Sequence, residues 1–324
     1  MKKTTLTLLS ALLVTTALAS CGKTGTKKVG ILQFGSFDAL TKAKDGFVEG
    51  LSEAGFTDGS NIEIKVLNPE ADSGSNKQMA DTLAAGQDLV YGIATPSATA
   101  LKNSVDSTGR NIPVVFSAVT DPVGAKLVAS LEKPGANVTG MSDLGPIEKE
   151  LDLLDLFSGI DKVATLITAT ESNSIYQEDI AKTVLAKKGL TEVAKSINNA
   201  TEISAAVTSI PSDVDALWIP TDDTIAANMA TIKSAVEGRT TTLIVMACDV
   251  GMISGSIIAM GVDYEELGKQ AGEKAAKILN GADPASIPVE TADKSVISIN
   301  QTWATKIGLT LPEALLKTEG AKVI

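Results

Sequence analysis

The sequence predicts an α/β protein made of two doubly wound lobes, each a parallel β-sheet covered by helices. From Val29 onward, short runs of β-branched and apolar residues alternate with segments of helical periodicity. The alternation falls into two successive sets of roughly 115 residues, which suits two domains. The composition, with 27 glycines and 3% aromatic residues, is more typical of helix-covered sheets than of an all-β sandwich.

The first set contains five predicted strands and four predicted helices. Runs of β-branched and apolar residues mark the strands, and apolar residues on one face mark the helices, as Leu40, Phe47 and Leu51 do in the first. In chain order we expect strand 29–34, helix 39–54, strand 62–67, helix 74–86, strand 89–94, helix 97–106, strand 113–118, helix 123–131 and strand 138–141.

The second set repeats this alternation. A long helix at 264–279 is the clearest element, because apolar residues recur at helical spacing and Asn280-Gly281 ends it. Since ligands bind at the carboxyl ends of parallel strands, two facing lobes predict a cleft between them. The other expected elements are helix 146–158, strand 162–168, helix 175–189, strand 192–197, helix 202–209, strand 216–220, helix 223–237, strands 242–247, 256–260 and 295–300, and helix 302–307.

Composition excludes several classes of function. The chain has 28 Lys+Arg against 39 Asp+Glu, a net charge of −11, and only two of its cations are arginines, so we expect no nucleic-acid partner. It has no histidine, which excludes Ser-His-Asp catalysis and imidazole metal sites. Phosphate-cradling and nucleophile-elbow motifs are also missing. We therefore expect a protein that is not an enzyme and that holds no cofactor and no metal.

The first residues predict a secretion signal. A basic start at Lys2 and Lys3 precedes an uncharged apolar run, Leu6–Ala19, which is too short to cross a bilayer as a helix. It ends in Leu-Ala-Ser-Cys-Gly, which resembles the bacterial lipobox with lipid attached at Cys21. We therefore expect a membrane-anchored lipoprotein outside the cytoplasm, with signal peptide 1–20 and flexible tether 21–27.

Side chains that could hold a small zwitterion follow the predicted strands, at the edge where the lobes would face each other. Hydroxyls and helix N-termini can bind a carboxylate, and an aspartate can pair with an ammonium. An aspartate or serine after a strand is also a common helix cap, so both interpretations stay open. The candidate ligand-binding residues are Ser36, Phe37, Thr95, Pro96, Ser97 and Asp121 in the first lobe, and Ser172, Asn173, Tyr176, Thr221, Asp222 and Asp249 in the second.

As a set, seven segments of the chain resemble the ABC-transporter substrate-binding proteins of the tryptophan/tyrosine-binding type. That family has the type I periplasmic-binding-protein fold, in which three strands form the hinge. The resemblance implies capture of an aromatic amino acid, most simply tryptophan or tyrosine, and its delivery to a membrane ABC permease. The segments are ATPSA (94–98), VFSAVTDPV (115–123), NVTGMSD (137–143), ESNS (171–174), IPTDDT (219–224), GVDYEELG (261–268) and IPVE (287–290).

The resemblance also implies the site residues and the lobe boundaries. It carries over to Thr95, Pro96, Ser97, Asp121, Ser172, Asn173, Asp222 and Asp249. It departs at Asp223, where such proteins tend to have asparagine, and at 35–37, where they often carry a histidine. The first lobe would comprise 28–141 with 262–292, and the second 142–261 with 293–324.

Two further expectations follow. We expect a monomer, and we expect Asp222→Ala to leave folding intact while removing the partner of a ligand ammonium. Other roles stay open: a sensor that presents its closed form to a membrane receptor, or an adhesive surface lipoprotein without a ligand. The ligand could also be another amino acid, a peptide or another small solute.

Overall fold

A computed structural model describes residues 25–292 and 295–324, so Cys21 and the predicted signal peptide lie outside it. Within the described ranges no helix is long and apolar enough to cross a membrane. The elements up to the first crossing are β1 (Lys27–Gln33), α1 (Asp38–Glu53), β2 (Ile62–Leu67), α2 (Ser73–Gly86), β3 (Leu89–Ile93), α3 (Thr95–Thr108), β4 (Val114–Ser117) and β5 (Val138–Ser142).

The remaining elements belong mainly to a second sheet. They are α4 (Ile147–Asp152), β6 (Lys162–Thr168), α5 (Ser172–Lys187), β7 (Thr191–Ile197), α6 (Ile203–Thr208), β8 (Ala216–Ile219), α7 (Asp223–Ala226), α8 (Met229–Glu237), β9 (Ile244–Ala247), β10 (Ile258–Val262), α9 (Tyr264–Leu279), β11 (Glu290–Thr291), β12 (Ser295–Ile299), α10 (Gln301–Lys306), α11 (Glu313–Leu316) and β13 (Ala321–Val323).

The molecule contains two sheets, of six and seven strands, and five strands of each follow the same order. The first runs β11-β5-β4-β3-β1-β2, and all its strand pairs are parallel. The second runs β13-β12-β10-β9-β8-β6-β7, and its one antiparallel pair is β10 with β12. Most residues of the central strands are buried, as expected when helices cover both faces of a sheet. The predicted fold class, two doubly wound α/β lobes, is confirmed.

The chain passes between the two sheets three times. It leaves the first sheet after β5, returns from β10 into α9, and leaves again between β11 and β12. In each sheet the strand order reverses beside the first strand of the set, β1 or β6, and the loops there run toward the other lobe. That reversal point is where open α/β sheets bind their ligands.

Helices α1 and α9 pack backbone to backbone on the first sheet. A Cβ added at Gly46 or Gly50 would collide with backbone oxygens of α9, and one added at Gly268 or Gly272 would collide with backbone oxygens of α1. The order of these contacts shows that the helices run parallel, so both begin at the same edge of the lobe. Only glycine permits this approach.

The helix predicted at 123–131 is wrong. Residues 118–137 form turns instead: Asp121 Oδ1 accepts a hydrogen bond from the Gly124 N–H, and Lys126 has a left-handed backbone with φ of 58°. Leu127 and Val128 are still buried in the first lobe. Their helical spacing misled the prediction, because a turn can bury the same side chains.

Smaller differences concern where elements begin and end. The helix predicted at 223–237 is two helices, α7 and α8, and the strand predicted at 256–260 is β10, two residues later. The sequence analysis also missed the terminal α11 and β13. The latter is held by hydrogen bonds to β12 that no local pattern reveals.

A carboxyl group lies in the core of the second lobe. Glu150 of α4 is 1% exposed, and its Oε2 accepts hydrogen bonds from Trp218 Nε1 at 3.0 Å and from the Cys248 thiol at 2.8 Å. Its Oε1 is buried without a partner in the described chain. Burial raises the pKa of Glu150 to about 7.

Replacing Glu150 by glutamine should stabilise the protein at alkaline pH. A carboxyl whose pKa rises on folding contributes less stability as the pH climbs from its unfolded value, 4.5, toward about 7. We expect a gain of about 1–2 kcal/mol in the free energy of unfolding at pH 8. Removing the buried negative charge stabilises the folded protein by more than the unpaired amide group destabilises it. Urea unfolding at pH 8 and pH 4.5 measures this, and little change is expected at pH 4.5.

The control is Glu148→Gln, an exposed position of the same helix, which should change stability at neither pH. Equal destabilisation by Glu150→Gln at both pH values would show that the buried charge carries no cost.

Candidate functional site

A small cavity lies between the two lobes. It is bounded by the starts of α1, α3 and α9 on one side and by the loops after β8 and β9 on the other. None of its lining residues is a lysine or arginine, whereas four are aspartates. The lining residues are Phe37, Ala39, Leu40, Thr95, Ala118, Thr120, Asp143, Asn173, Thr221, Asp222, Asp223, Ala226, Asp249 and Tyr264.

Three long helices begin at this cleft without a side-chain cap. The N-cap positions of α1, α3 and α5 are Phe37, Ala94 and Glu171, and none accepts a hydrogen bond from its own helix through its side chain. Ala94 adopts a left-handed φ of 77°, which turns the chain from β3 into α3. The backbone N–H groups of these first turns are therefore free to bind an anion such as a carboxylate.

Asp222 is used within the second lobe. Its Oδ1 accepts hydrogen bonds from Thr168 Oγ1 and the Ile225 N–H, both at 2.9 Å. Its Oδ2 accepts from the Thr168 N–H at 2.7 Å and from Ser174 Oγ at 2.6 Å. Four hydrogen bonds fill the acceptor sites of a carboxylate. Asp222 thus joins β6, α5 and α7, and no free lone pair remains for a ligand ammonium.

Glu171 holds the same turn from the other side. Its carboxylate accepts hydrogen bonds from the N–H groups of Asp223 and Thr224 at 2.9 and 3.0 Å and from Thr224 Oγ1 at 2.7 Å. Burial, followed by the negative charge of Asp222, raises the pKa of Glu171 to about 7. The first turn of α7 is therefore fixed by the carboxylates of Asp222 and Glu171. The side chain of Asp223 takes no part in these hydrogen bonds.

Asp223 and Asp249 keep free acceptor oxygens. Asp223 is half-buried and accepts no hydrogen bond from the described chain; burial, and then the charge of Glu171, raises its pKa well above the usual value. Asp249 is 5% exposed, and only its Oδ1 has a partner, the Gly251 N–H at 2.8 Å. Burial raises the pKa of Asp249 to about 6. Both groups would be stabilised by a bound cation or hydrogen-bond donor.

A fourth aspartate ties two of the crossings together. Asp143 follows β5, and its two oxygens accept hydrogen bonds from Thr120 Oγ1 at 2.9 Å and Tyr264 Oη at 3.0 Å. Tyr264 is the first residue of α9, on the second crossing. The part of the cavity lining formed by Asp143 and Tyr264 therefore belongs to the segments that cross between the lobes.

The structure places six of the twelve predicted ligand-binding residues in the cavity lining: Phe37, Thr95, Asn173, Thr221, Asp222 and Asp249. The other six lie outside it. Ser97 is buried against α2 and donates a hydrogen bond to Asn76 Oδ1, Ser36 donates one to Glu70, and Asp121 accepts the Gly124 N–H. The remaining three are Pro96 and Ser172, in the first turns of α3 and α5, and Tyr176, in the second turn of α5.

The sequence analysis missed Thr120, Asp143, Asp223 and Tyr264. Each lies within a segment that carried the family resemblance, so a signal existed. Asp143 and Tyr264 lie on the crossings between the sheets, whereas Thr120 and Asp223 lie in loops after strands beside residues that were predicted. No group of acidic, cysteine or histidine side chains suited to a metal ion occurs in 25–292 and 295–324.

The family model described as "ABC transporter substrate binding protein" matches residues 28–323. The chain is 37% identical over 284 residues to the tyrosine-binding protein of Clostridioides difficile, covering 86% of this chain and 81% of the relative. It is also similar to the solved ABC domain of Streptococcus pneumonia in complex with L-Trp, with 34% identity, a TM-score of 0.86 and coverage of 93% of this chain and 100% of that one.

A third relative is the ligand-free, open structure of a substrate-binding protein with adhesive properties from Clostridium difficile. It has 34% identity, a TM-score of 0.72 and coverage of 92% of this chain and 99% of that one. The matched family consists of solute-binding proteins that work outside the cytoplasm with ABC permeases and catalyse no reaction. On this evidence the chain belongs to the ABC transporter substrate-binding proteins.

Proposed function

We propose that this protein is the lipid-anchored binding subunit of an ABC importer that captures an aromatic amino acid, tyrosine or tryptophan, between its lobes. The observation that carries the proposal is the cavity itself, in which free carboxylates face uncapped helix N-termini. These are complementary to the two charges of a zwitterion. The tyrosine-binding and L-Trp-bound relatives support the aromatic assignment.

In this proposal the amino acid is held by both lobes. Its ammonium pairs with Asp223, whose oxygens are free, rather than with Asp222, whose oxygens are occupied. Its carboxylate binds the N–H groups at the start of α3, beside Thr95. The start of α1, with Phe37 and Leu40, supplies apolar contacts for the side chain.

Ligand binding would stabilise the closed arrangement of the lobes. The two solved relatives above have the same identity to this chain, yet the L-Trp complex matches with a TM-score of 0.86 and the ligand-free open form with 0.72. This supports a closed arrangement in the present structure. A ligand that contacts both lobes favours that arrangement by its differential affinity.

The test is a thermal-shift screen of the purified protein against the twenty amino acids, after unfolding and refolding to remove any bound ligand. At ligand about 100-fold above its dissociation constant, binding adds about 2.7 kcal/mol of stability. We expect tyrosine, tryptophan or both to raise the melting temperature by several degrees and glycine to have no effect. The absence of a shift with every amino acid would overturn the proposal.

The lipid anchor is a separate part of the proposal and rests on the sequence around Cys21. Replacing Cys21 by serine removes the thiol that would carry the lipid. We expect Cys21→Ser to move the protein from the membrane fraction to the soluble fraction, since it removes the proposed site of lipid attachment. An unchanged membrane fraction would exclude Cys21 as the anchor.

A further inference from the structure

The two aspartates with free oxygens, Asp223 and Asp249, line different parts of the cavity. Asp223 is positioned by α7, beside Glu171. Asp249 follows the neighbouring strand β9 and faces α1, because it lines a groove together with Ala39 and Lys42. One amino-acid ammonium can neutralise one of these carboxylates and leaves the other in need of a donor.

The surroundings of Asp249 indicate which donor would meet it. Ala39 lines both the cavity and the groove, and Phe37 and Leu40 flank it at the start of α1. An apolar ligand side chain that packs on this turn would end near Asp249. The Oδ2 atom of Asp249 accepts no hydrogen bond from the described chain, although the side chain is 5% exposed. This oxygen is therefore available to accept a hydrogen bond from a ligand.

We propose that Asp249 accepts a hydrogen bond from the far end of the ligand side chain, the phenol O–H of tyrosine or the indole N–H of tryptophan, and thereby excludes phenylalanine. This inference rests on the proposed function. It assigns the two free carboxylates separate roles: Asp223 binds the ammonium common to all amino acids, and Asp249 determines specificity. A site built to bond a substrate hydroxyl rejects the analogue that lacks it far more strongly than an apolar pocket rejects an extra group.

Titration calorimetry on the refolded protein with tyrosine, tryptophan, phenylalanine and O-methyltyrosine tests this without any variant. We expect phenylalanine and O-methyltyrosine, which lack the donor, to bind at least about 100-fold more weakly than tyrosine. Phenylalanine binding within about threefold of tyrosine would overturn the inference and leave the proposed function standing. If none of the four binds, the proposed function fails, and the inference fails with it.

The variant Asp249→Asn gives a sharper test. Asparagine keeps an oxygen for the Gly251 N–H and turns an amide N–H₂ toward the ligand. A phenol oxygen can accept from that amide, whereas an indole N–H can only donate. We therefore expect tryptophan to lose about 30-fold or more in affinity and tyrosine clearly less, about tenfold or below.

Asp45→Asn is the matched control, because Asp45 is exposed on α1, is ion-paired with Lys44, and lines neither the groove nor the inner cavity. It should change neither affinity. If Asp249→Asn leaves the affinities for tyrosine and tryptophan unchanged, or lowers both equally, Asp249 does not bind the polar group of the ligand side chain.

Discussion

Asp223→Asn is expected to weaken aromatic amino-acid binding by about 100-fold or more, close to 3 kcal/mol, because a buried ammonium loses its charged partner. The same change should leave the fold intact, since the Asp223 side chain accepts no hydrogen bond in the described chain. It should also raise the stability of the ligand-free protein at neutral pH. A neutral amide relieves the repulsion that Glu171 and Asp222 exert on this carboxylate.

Calorimetry measures the affinity, and thermal unfolding without ligand measures the stability. A loss of affinity together with a gain of stability would identify Asp223 as a binding residue, because replacing a structural residue would lower affinity and stability together. Unchanged affinity would remove Asp223 from the ligand site.

Asp222→Ala is expected to lower the free energy of unfolding by at least about 4 kcal/mol. The change removes the acceptor of four hydrogen bonds, two of them from the buried N–H groups of Thr168 and Ile225. The sequence alone predicts the reverse, intact folding with lost binding. We expect a loss of stability instead, because in the structure the Asp222 carboxylate joins β6 to the start of α7.

Urea unfolding measures the loss, with Asp121→Ala as the control. Asp121 accepts one N–H in an open turn, so its replacement should cost about 1 kcal/mol or less. If Asp222→Ala unfolds like the native protein yet no longer binds amino acids, the sequence-based assignment of Asp222 to the ammonium would be correct.

Elements with a long, regular pattern could be predicted from the sequence. The helix at 264–279 and the strands at 62–67 and 162–168 have the bounds that the structure gives them. In these segments the spacing of apolar residues agrees with burial on a sheet or between helices. The turns at 118–137 show the limit, because burial of Leu127 and Val128 does not require a helix.

The site was harder to predict because two identical residues with different roles are adjacent. Asp222 and Asp223 differ only in which one precedes the first turn of α7: the N-cap turns its carboxylate back to the helix, and the next residue projects away from it. Likewise, Asp143 and Tyr264 meet only because two crossings come together in space. The sequence places strand ends, whereas these side-chain directions follow from the packed structure.

Because the glycine faces of α1 and α9 are in backbone contact, the two helices form one rigid unit. Both begin at the cleft, α1 against the ligand cavity and α9 at the second crossing. Since their backbones touch at Gly46, Gly50, Gly268 and Gly272, neither helix can slide or tilt without the other. If a ligand displaces the start of α1, as proposed, the displacement is transmitted through the backbone contact to α9 and the second crossing, without any change of side-chain rotamer.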